Sequence, residues 1–422
     1  MVRKQTIMDD ALAGEPDAEL VMAFGRAYHQ AGLPVDELEQ TMHLAAAALG
    51  VELQVNVLPT SITAAIGPGD AQRVVLLRLE PGTIDLSRLS LLNVVFRAIV
   101  ERRMTTRAAL ADVERIAGMV NATPAPLWIA AYCVLSVGAA ILIGGHAREI
   151  AAAAVIGVAV GALSVAGRYL TAVDRLFEVL AGFTATLVVT AFSRYVGHLA
   201  VYIPIVAGVV QLLPGLQLTE ALQELASRNV VAGTARLGGA VMTLLSLGCG
   251  FALGIAAVGP GALHLDPIRF APIPVPELVL AVAAIASAIA ILLNARPPDY
   301  AWVACACVVA ETAYRAFSAS PAFQVATFGG ALAVGVAAKL ASRYARVPET
   351  ILLVPGLLIL VPGALSYESI LYLLQSDAAN GGGIAVTAIV AAVEIVSGLL
   401  LSTLFFTPVR RRGAAPRRTD AR

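Results

Sequence analysis

The chain has 422 residues, of which 58% are hydrophobic and only 14% are charged, and its mean hydropathy is +0.80. A soluble protein of this length could not hide so much apolar surface in one core, whereas helices in lipid need not hide it. The net charge of zero conceals an uneven distribution, because residues 1–120 hold 11 basic and 15 acidic residues and residues 121–422 hold 18 and 14. Residues 1–120 contain no basic stripe with interleaved aromatic side chains, which argues against nucleic-acid binding.

The first part of the chain predicts structure outside the membrane. Met1–Ala18 contain four acidic side chains and no apolar stretch, so residues 1–16 are expected to form a flexible N-terminus and not a secretory signal. Residues 17–122 predict a small α+β domain that stays in the cytoplasm. Its expected elements are helices at 19–30 and 35–49, β-rich runs at 51–57, 61–66 and 73–79, a helix capped by Asp85, and a helix that starts at Thr105 or Thr106.

From residue 127 onward the sequence predicts ten membrane-spanning helices. Several are close to the shortest length that crosses a hydrocarbon core of about 30 Å. The expected spans are 127–143, 150–167, 176–193, 199–215, 237–258, 277–294, 300–317, 322–341, 350–366 and 383–406. With both termini in the cytoplasm, the inward-facing segments carry 14 Lys and Arg residues and the outward-facing loops carry four, a positive-inside bias that supports this orientation.

Two segments resemble each other at a fixed offset of 148 residues. Val209–Leu225 reads VVQLLPGLQLTEALQEL and Leu357–Leu373 reads LLILVPGALSYESILYL, so a Pro-Gly pair recurs at the same place. The span at 176–193 falls on 324–341 at the same offset. Because five is an odd number, a second copy of five spans must enter the membrane from the opposite side. The expected fold is therefore an all-α membrane protein with an inverted five-plus-five repeat.

These features divide the membrane part of the chain into segments. The predicted units are a first five-span repeat at 123–258, an external linker at 259–276, a second five-span repeat at 277–407 and a basic cytoplasmic tail at 408–422. When two inverted halves swap conformations, a site between them closes on one side of the membrane and opens on the other. This is the usual basis of alternating access in secondary transporters.

Both Pro-Gly pairs are expected to interrupt their helices, because proline lacks an amide hydrogen and glycine loosens the following turn. Interrupted helices expose backbone N–H and C=O groups that can hold the carboxylate and ammonium groups of a substrate. A packing kink, or a helix end at the membrane surface, is the alternative. The predicted substrate-binding residues at the two breaks are Gln211, Pro214, Gly215, Thr219, Pro362, Gly363 and Ser366.

Three acidic residues fall inside predicted spans or at their edge, where an uncompensated carboxylate is costly and typically marks a transport or proton path. Glu394 lies midway along the tenth span, Glu311 lies within the seventh, and Glu178 lies near the start of the third. We assign all three to proton coupling. The alternatives are a structural hydrogen bond for Glu394, an i,i+4 ion pair with Arg315 for Glu311, and an interfacial position for Glu178.

Other kinds of chemistry have little support in the sequence. It contains no G-x-x-x-x-G-K-[ST] phosphate loop, no G-x-S-x-G elbow and no H-E-x-x-H helix, so neither ATP-driven transport by this chain nor an enzyme is expected. The four cysteines lie in apolar runs, and the five histidines have no metal-ligand spacing. No cofactor and no metal ion are therefore expected.

Several short motifs, in their order along the chain, resemble the threonine/serine exporter (ThrE) family. They are VLLRLEPGTIDLSRLSLLNVVFRAIVERRMTTRAALADVERI at 75–116, Gly144-Gly145, LLPG at 212–215 and NVVAGTAR at 229–236. The second half, from Phe323 to VPG at 361–363, is similar to the smaller partner domain of that family, which some bacteria make as a separate polypeptide. The chain therefore resembles a fused form with both family domains.

The resemblance implies export of L-threonine and L-serine across the bacterial inner membrane, driven by the proton motive force. The implied partners are a small amino acid, protons and membrane lipid; no nucleic acid is expected, and a homo-oligomer is left open. The residues themselves indicate only a secondary transporter. A channel or scaffold with a sensory or docking cytoplasmic domain, and an exporter of another small metabolite or peptide, therefore stay open as alternatives.

Overall fold

The structure is a computed structural model that describes residues 15–69, 72–80, 82–119, 123–259, 273–318, 325–360, 363–374 and 378–406. The predicted tail at 408–422, and most of the predicted N-terminus at 1–16 and linker at 259–276, lie outside these ranges.

Residues 15–119, called the N-terminal region below, form helices and a small sheet. The elements are α1 (Pro16–Gln30), α2 (Val35–Leu49), β1 (Leu53–Leu58), β2 (Ser61–Ile66), β3 (Arg73–Arg78), α3 (Leu86–Val100) and α4 (Thr106–Ala117). The sheet is antiparallel in the order β1-β2-β3, and Ser61 pairs with both Leu58 and Arg78. Helix α1 packs against the other three helices, and its Leu20 and Phe24 are fully buried in the core.

Side-chain caps explain where α3 and α4 begin. The carboxylate of Asp85 accepts a hydrogen bond from the Arg88 amide at 2.9 Å, and the hydroxyl of Thr105 accepts one from the Ala108 amide at 3.4 Å. Such caps satisfy amide groups that have no partner inside the first helical turn. The predicted helix starts at Asp85 and Thr105 are confirmed.

The rest of the described chain is helical. Its helices are α5 (Ala125–Leu142), α6 (Ala147–Gly167), α7 (Thr171–Arg175), α8 (Phe177–Tyr195), α9 (Tyr202–Gly208), α10 (Gly215–Ala226), α11 (Val230–Val258), α12 (Val275–Leu292), α13 (Tyr300–Ser318), α14 (Ala326–Leu340), α15 (Thr350–Ile359), α16 (Gly363–Leu374) and α17 (Ala378–Leu404). Short 3-10 turns at Val210–Leu212 and Pro297–Asp299 and a π-helical turn at Ala341–Ala345 complete the elements.

Within the described ranges, seven helical segments are long and apolar enough to cross a membrane, or eight if the bent pair α9 and α10 forms one span. The seven are α5, α6, α8, α11, α12, the stretch Thr350–Leu373 and most of α17. The protein is therefore a polytopic membrane protein. Helices α13 and α14, at the predicted spans 300–317 and 322–341, do not meet the same test, because α13 carries Glu311 and Arg315 and α14 has only 15 residues.

The first predicted helix break is confirmed. Helix α9 ends at Gly208, and α10 begins at Gly215 after a 3-10 turn. The segments Tyr202–Gly208 and Val210–Ala226 are bent by 57° relative to each other. Pro214 caps the N-terminus of α10, where its missing amide hydrogen costs no helical hydrogen bond. The prediction of one span at 199–215 was too short, because the second limb continues to Ala226.

The second predicted break, at Pro362-Gly363, lies at the edge of the described residues. Helix α15 ends at Ile359 and α16 begins at Gly363, while Pro362 lies outside the described residues. The predicted span at 350–366 covers α15 but only the first turn of α16, which continues to Leu374.

Glycines allow close contact between membrane helices. A Cβ atom on Gly250 of α11 would lie 2.1 Å from the carbonyl oxygen of Val179 in α8, and one on Gly182 of α8 would lie 2.3 Å from the carbonyl oxygen of Leu247. The two helices therefore touch backbone to backbone, as small residues permit in membrane proteins.

Candidate functional site

A cavity of about 1380 Å³ lies where the N-terminal region meets the membrane helices. Its wall has three parts: loops of the N-terminal region, helices α5, α9, α10 and α11, and residues of α12 to α17. Small-molecule sites typically enclose roughly 300–1,000 Å³, so this cavity can hold a small metabolite together with water.

Two loops of the N-terminal region close one side of the cavity. Gly32 and Leu33 lie between α1 and α2, and Thr83 and Ile84 lie just before α3. Gly32 has a φ angle of 80°, and a Cβ atom there would lie 2.8 Å from the backbone of Ile84. The two loops can therefore meet only because residue 32 is a glycine.

The N-terminal region is held against the membrane helices by polar contacts at several points. The Leu86 amide donates to the Leu293 carbonyl at 2.9 Å, Asn229 Nδ2 donates to Asp36 Oδ1 at 3.5 Å, and Thr350 Oγ1 donates to Glu37 Oε2 at 3.4 Å. These contacts reach the ends of α11, α12 and α15. The wall that the N-terminal region contributes is therefore anchored to both halves of the membrane part.

His29 of α1 also lines the cavity, and it is 6% exposed. Burial and the positive charge of Arg236 lower the pKa of His29, while hydrogen bonds to the backbone of Leu58 and Pro59 act in the opposite direction. Its Nδ1 atom has no hydrogen-bond partner among the described residues. The imidazole is therefore neutral at pH 7 and does not add positive charge to the cavity.

The first helix break contributes Gln211 and Pro214 to the cavity wall, and both were predicted to bind substrate. The other two residues predicted at this break, Gly215 and Thr219, are buried outside the wall. The hydroxyl of Thr219 donates to the carbonyl of Gly215 at 3.0 Å, so its polar group is satisfied within α10.

An ion-pair cluster follows the first break. Arg236 Nη1 lies 2.7 Å from Glu220 Oε2, and Arg236 Nε lies 2.8 Å from Glu224 Oε1. Glu220 and Arg236 line the cavity, whereas Glu224 does not and is only 3% exposed. One guanidinium of α11 thus bridges two carboxylates of α10, which is a strong, charge-assisted arrangement.

Helix α16, which follows the second predicted break, contributes Ala364, Leu365 and Glu368 to the wall. Glu368 is 7% exposed and forms a hydrogen bond with the hydroxyl of Tyr202 in α9. The same hydroxyl lies 3.4 Å from the carbonyl oxygen of Ala364. Across the described part of the chain, no Lys, Arg or His forms an ion pair with Glu368.

The residues predicted to bind substrate at the second break are not among those that line the cavity. Gly363 is buried at the start of α16, Ser366 is half-buried, and Pro362 lies outside the described residues. The part of α16 that faces the cavity lies on another side of the helix, at Ala364, Leu365 and Glu368.

Glu311 lies in the cavity wall, and Glu394 contacts a residue of that wall. Glu311 lines the cavity and forms an ion pair with Arg315, with 2.6 Å between Nε and Oε1, so the alternative i,i+4 pair is present. Glu394 accepts a hydrogen bond from Thr327, which itself lines the cavity. The phenol of Tyr314, also in the wall, interacts electrostatically with both carboxylates.

Glu178, the third acid predicted for proton coupling, lies elsewhere. It is a half-buried residue in the first turn of α8 and is not part of the cavity wall.

Sequence reasoning did not select the two acids that enter the cavity from the broken helices, Glu220 and Glu368. A signal was present, because these glutamates are 148 residues apart and therefore occupy the same place in the two similar segments. Arg236, Tyr202 and the loops of the N-terminal region were also missed. Nothing in their local sequence connects them to the helix breaks.

Comparison with known protein families is decisive for the class of protein. Residues 19–258 match a family model for a threonine/serine exporter, ThrE, and residues 278–405 match the model "Threonine/Serine exporter, ThrE". The chain belongs to the threonine/serine exporter family. It combines both ThrE parts in one polypeptide, as the resemblance in its sequence implied. Membership in a transporter family fits a role that is not enzymatic.

Relatives of this ThrE chain with curated descriptions include fungal membrane proteins. Pheromone-regulated membrane protein 10 of Pichia sorbitophila is 25% identical over 251 residues, and the protein of that name from Kluyveromyces lactis is 28% identical over 240 residues. The alignments cover 57% and 54% of this chain but only 24% of each relative. The chain thus spans about a quarter of the length of these relatives.

An uncharacterized protein of Schizosaccharomyces pombe is 28% identical over 250 residues, which cover 57% of this ThrE chain and 32% of that protein. No solved structure matches the chain significantly. Within the described ranges, no group of three or more His, Cys, Asp or Glu side chains could hold a metal ion.

Proposed function

We propose that this protein is a secondary active exporter of small amino acids, with L-threonine and L-serine as substrates, and that the proton motive force drives it. The observation that carries the proposal is the cavity beside the first helix break. Gln211 and Pro214 of that break line it with Ala364 and Glu368 of α16, and charged side chains in the wall can recognise a zwitterion. Family membership supports the substrate class.

An inverted repeat of five plus five spans is part of the proposal. At an offset of 148 residues, α10 (Gly215–Ala226) falls on α16 (Gly363–Leu374), and the helices on either side correspond in the same order. The broken limb α9 falls on α15, and α11 falls on α17. On this view α13 and α14 are the counterparts of α6 and α8 and cross the membrane, although the charges of α13 reduce its hydropathy.

Helix contacts recur at the same offset and support the repeat. A Cβ atom on Gly233 would lie 2.8 Å from Leu225 Cγ, and a Cβ atom on Gly381 would lie 2.8 Å from Leu373 Cγ. Gly250 of α11 approaches the backbone of α8, and Gly398 of α17 approaches the backbone of α14 at Phe328, with a Cβ distance of 2.6 Å. Small residues thus set the same helix spacing in both halves.

The proposed orientation has the N-terminal region, as a domain at 17–122, in the cytoplasm. Its contacts with Asn229, Leu293 and Thr350 lie at loops or helix ends that the positive-inside rule assigns to the cytoplasmic side. In this orientation the domain covers the cytoplasmic end of the cavity. We place the chain in the bacterial inner membrane, with both termini inside.

The proposed site uses general features of transporter chemistry. The end of a broken helix presents free backbone groups and a partial charge, and it can bind the carboxylate or ammonium group of an amino acid. Gln211 and Pro214 line the cavity at the first break, and Ala364 lines it at the second. Glu311 and Glu394 are the candidates for proton binding, since both lie at or next to the cavity wall in a membrane helix.

The test is transport by the full chain in proteoliposomes that are loaded with labelled threonine and exposed to a pH gradient. We expect saturable, gradient-dependent threonine movement that unlabelled serine inhibits and a protonophore abolishes. Absence of gradient-dependent threonine or serine movement would refute the substrate and the driving force. Flux that never saturates with substrate would instead favour a channel.

A further inference from the structure

We infer that Glu368 binds the ammonium group of the transported amino acid, with Tyr202 holding the carboxylate in position. This assignment rests on the proposed export of amino acids and adds the residue that recognises the positive end of the substrate. It is carried by the position of Glu368 in the cavity, by its contacts, and by a comparison with the equivalent acid in the first half.

Glu220 and Glu368 are equivalent residues in the two similar segments. Each is the fifth residue after the glycine that starts its helix, Gly215 in α10 and Gly363 in α16. Both glutamates line the same cavity. The two similar segments thus bring one carboxylate each to the same cavity.

The surroundings of the two carboxylates differ. Glu220 has its cation within the protein, because Arg236 Nη1 lies 2.7 Å from its Oε2 atom. At an offset of 148 residues the counterpart of Arg236 is Ile384, and the counterpart of Glu224 is Tyr372. Glu368 therefore lacks the arginine that its equivalent has, and the described residues supply no other cation within ion-pair distance.

The missing arginine reflects a change of side chain rather than a change of helix packing. Gly233 contacts Leu225 and Gly381 contacts Leu373 at the same 2.8 Å distance, so α17 packs on α16 as α11 packs on α10. Arg236 and Ile384 each follow the contact glycine by three residues. Ile384 thus lies where a guanidinium would be needed to neutralise Glu368.

A carboxylate that is 7% exposed in a membrane helix carries a large desolvation cost unless a cation or several donors satisfy it. The Tyr202 hydroxyl, which also donates to the Ala364 carbonyl at 3.4 Å, supplies at most one shared donor. A primary ammonium group carries three further donors and one positive charge, and it reaches Glu368 from the cavity without disturbing the helix contacts. The carbonyl oxygen of Ala364, beside the same hydroxyl, is a second acceptor for it.

The experiment measures ligand selectivity in the full chain in lipid nanodiscs. Labelled threonine is displaced by unlabelled threonine or by 2,3-dihydroxybutanoate, in which a hydroxyl replaces the ammonium group. The wild type should prefer threonine by about 10- to 100-fold, the contribution expected of one hydrogen-bonded charge pair. In Glu368→Gln the threonine affinity should fall by that factor while the affinity for the analogue is unchanged, so the preference disappears.

A second variant tests the same site without removing the acid. Ile384→Arg places a guanidinium where the first half has one, so it should pair with Glu368 and abolish threonine binding. Ile384→Met is the matched control and should bind threonine like the wild type. Size-exclusion profiles show whether each variant is folded, and if Glu368→Gln does not fold, the pair of Ile384 variants decides the question.

The outcomes separate the assignment from the proposed function. If Glu368→Gln keeps the full preference for threonine over the analogue, Glu368 is not the ammonium site. The same holds if the variant keeps this preference and loses only the response of transport to a pH gradient. Ethanolamine, which has an ammonium group but no carboxylate, is the second probe. The wild type could bind ethanolamine but neither threonine nor serine, and Glu368→Gln could abolish that binding. This result would support the ammonium site and refute the amino-acid substrates. A wild type that binds neither probe would overturn both.

Discussion

Glu37 should make the docking of the N-terminal region onto the membrane helices depend on pH. It lies in the first turn of α2, where Thr350 Oγ1 donates a hydrogen bond to its Oε2 atom at 3.4 Å. Burial, together with the negative charges of Glu349 and Glu220, raises the pKa of Glu37 from 4.5 to about 7. The hydrogen bond from Thr350 and the charge of Lys339 act in the opposite direction but are weaker.

The sign of the effect follows from the raised pKa. The docked state favours the neutral carboxyl, so the contribution of Glu37 to docking is complete below pH 4.5 and is lost as the pH rises through about 7. With these two pKa values, docking should weaken by at most about 2.5 kcal/mol between pH 5 and pH 8, which is roughly a 70-fold change in the docking equilibrium. Because Glu37 is only half-buried, solvent will reduce this figure.

The perturbation is Glu37→Gln, which keeps the shape of the side chain and removes its titration. Amide hydrogen exchange of α2 in nanodiscs, corrected for the intrinsic pH dependence of exchange, reports how often the N-terminal region opens. In the wild type the protection of α2 should fall between pH 5 and pH 8, whereas in Glu37→Gln this fall should be absent. Glu39→Gln is the matched control, because Glu39 accepts a hydrogen bond from the Val57 amide within the N-terminal region.

The reasoning would be refuted if Glu37→Gln showed the same loss of protection with pH as the wild type. The titrating group would then lie elsewhere. A loss of the pH effect in Glu39→Gln as well would also count against it, since the effect would then reflect the stability of the N-terminal region and not its docking.

Three further predictions concern the membrane helices. Pro214→Ala should reduce threonine transport more than it reduces protein level, because a continuous helix would remove the break that lines the cavity; normal transport by this variant would contradict the broken-helix site. Gly250→Ala should lower the melting temperature, because its Cβ would lie 2.1 Å from the Val179 carbonyl oxygen and such overpacking costs about 1–3 kcal/mol. Gly238→Ala is the control and should leave the melting temperature unchanged, because no atom lies within 4 Å of the added Cβ. Glu394→Gln should abolish the effect of a pH gradient on transport but keep threonine–threonine exchange across the membrane; an unchanged response to the gradient would remove Glu394 from the proton path.

Sequence patterns correctly predicted the structural elements that depend mainly on nearby residues. The strand at Ser61–Ile66 matches the predicted run residue for residue, because period-two alternation and its flanking turns determine it. The cap at Asp85 and the break at Pro214 are likewise consequences of a single side chain acting on its own backbone. For the cap and the break, the relevant interaction lies within four residues along the chain.

Hydropathy misled where tertiary pairing neutralises a charge. The fifth span was predicted to start at 237, after Arg236, whereas α11 starts at Val230 and includes that arginine. Arg236 can lie inside a helix of the membrane part because Glu220 and Glu224 of α10 pair with it. Those same glutamates lowered the hydropathy after Pro214, so the second limb of the broken helix was missed. A hydropathy window counts each charge separately and cannot detect that these charges pair with one another.

The cavity could not be predicted from either half alone. Its wall combines the loop at Gly32 with residues of α10 and α16, which are far apart in the chain and meet only after the helices pack. The offset of 148 residues was the one long-range relation visible in the sequence. This offset relates the two Pro-Gly pairs, and the same offset also relates Glu220 to Glu368.

The difference between the two halves is as informative as their similarity. If Ile384 were an arginine, Glu368 would have its own cation, as Glu220 has in Arg236, and the cavity would offer no acid to an ammonium group. If Arg236 were also apolar, two uncompensated carboxylates would face one cavity, and their mutual repulsion and desolvation would be costly in a membrane protein. One paired and one unpaired acid is the arrangement that leaves a single place for a cation. Both segments keep the same glycine contacts, but only the first keeps the arginine. In the function proposed above, this difference would preserve the helix packing that alternating access needs and give the site one defined polarity for a zwitterionic substrate.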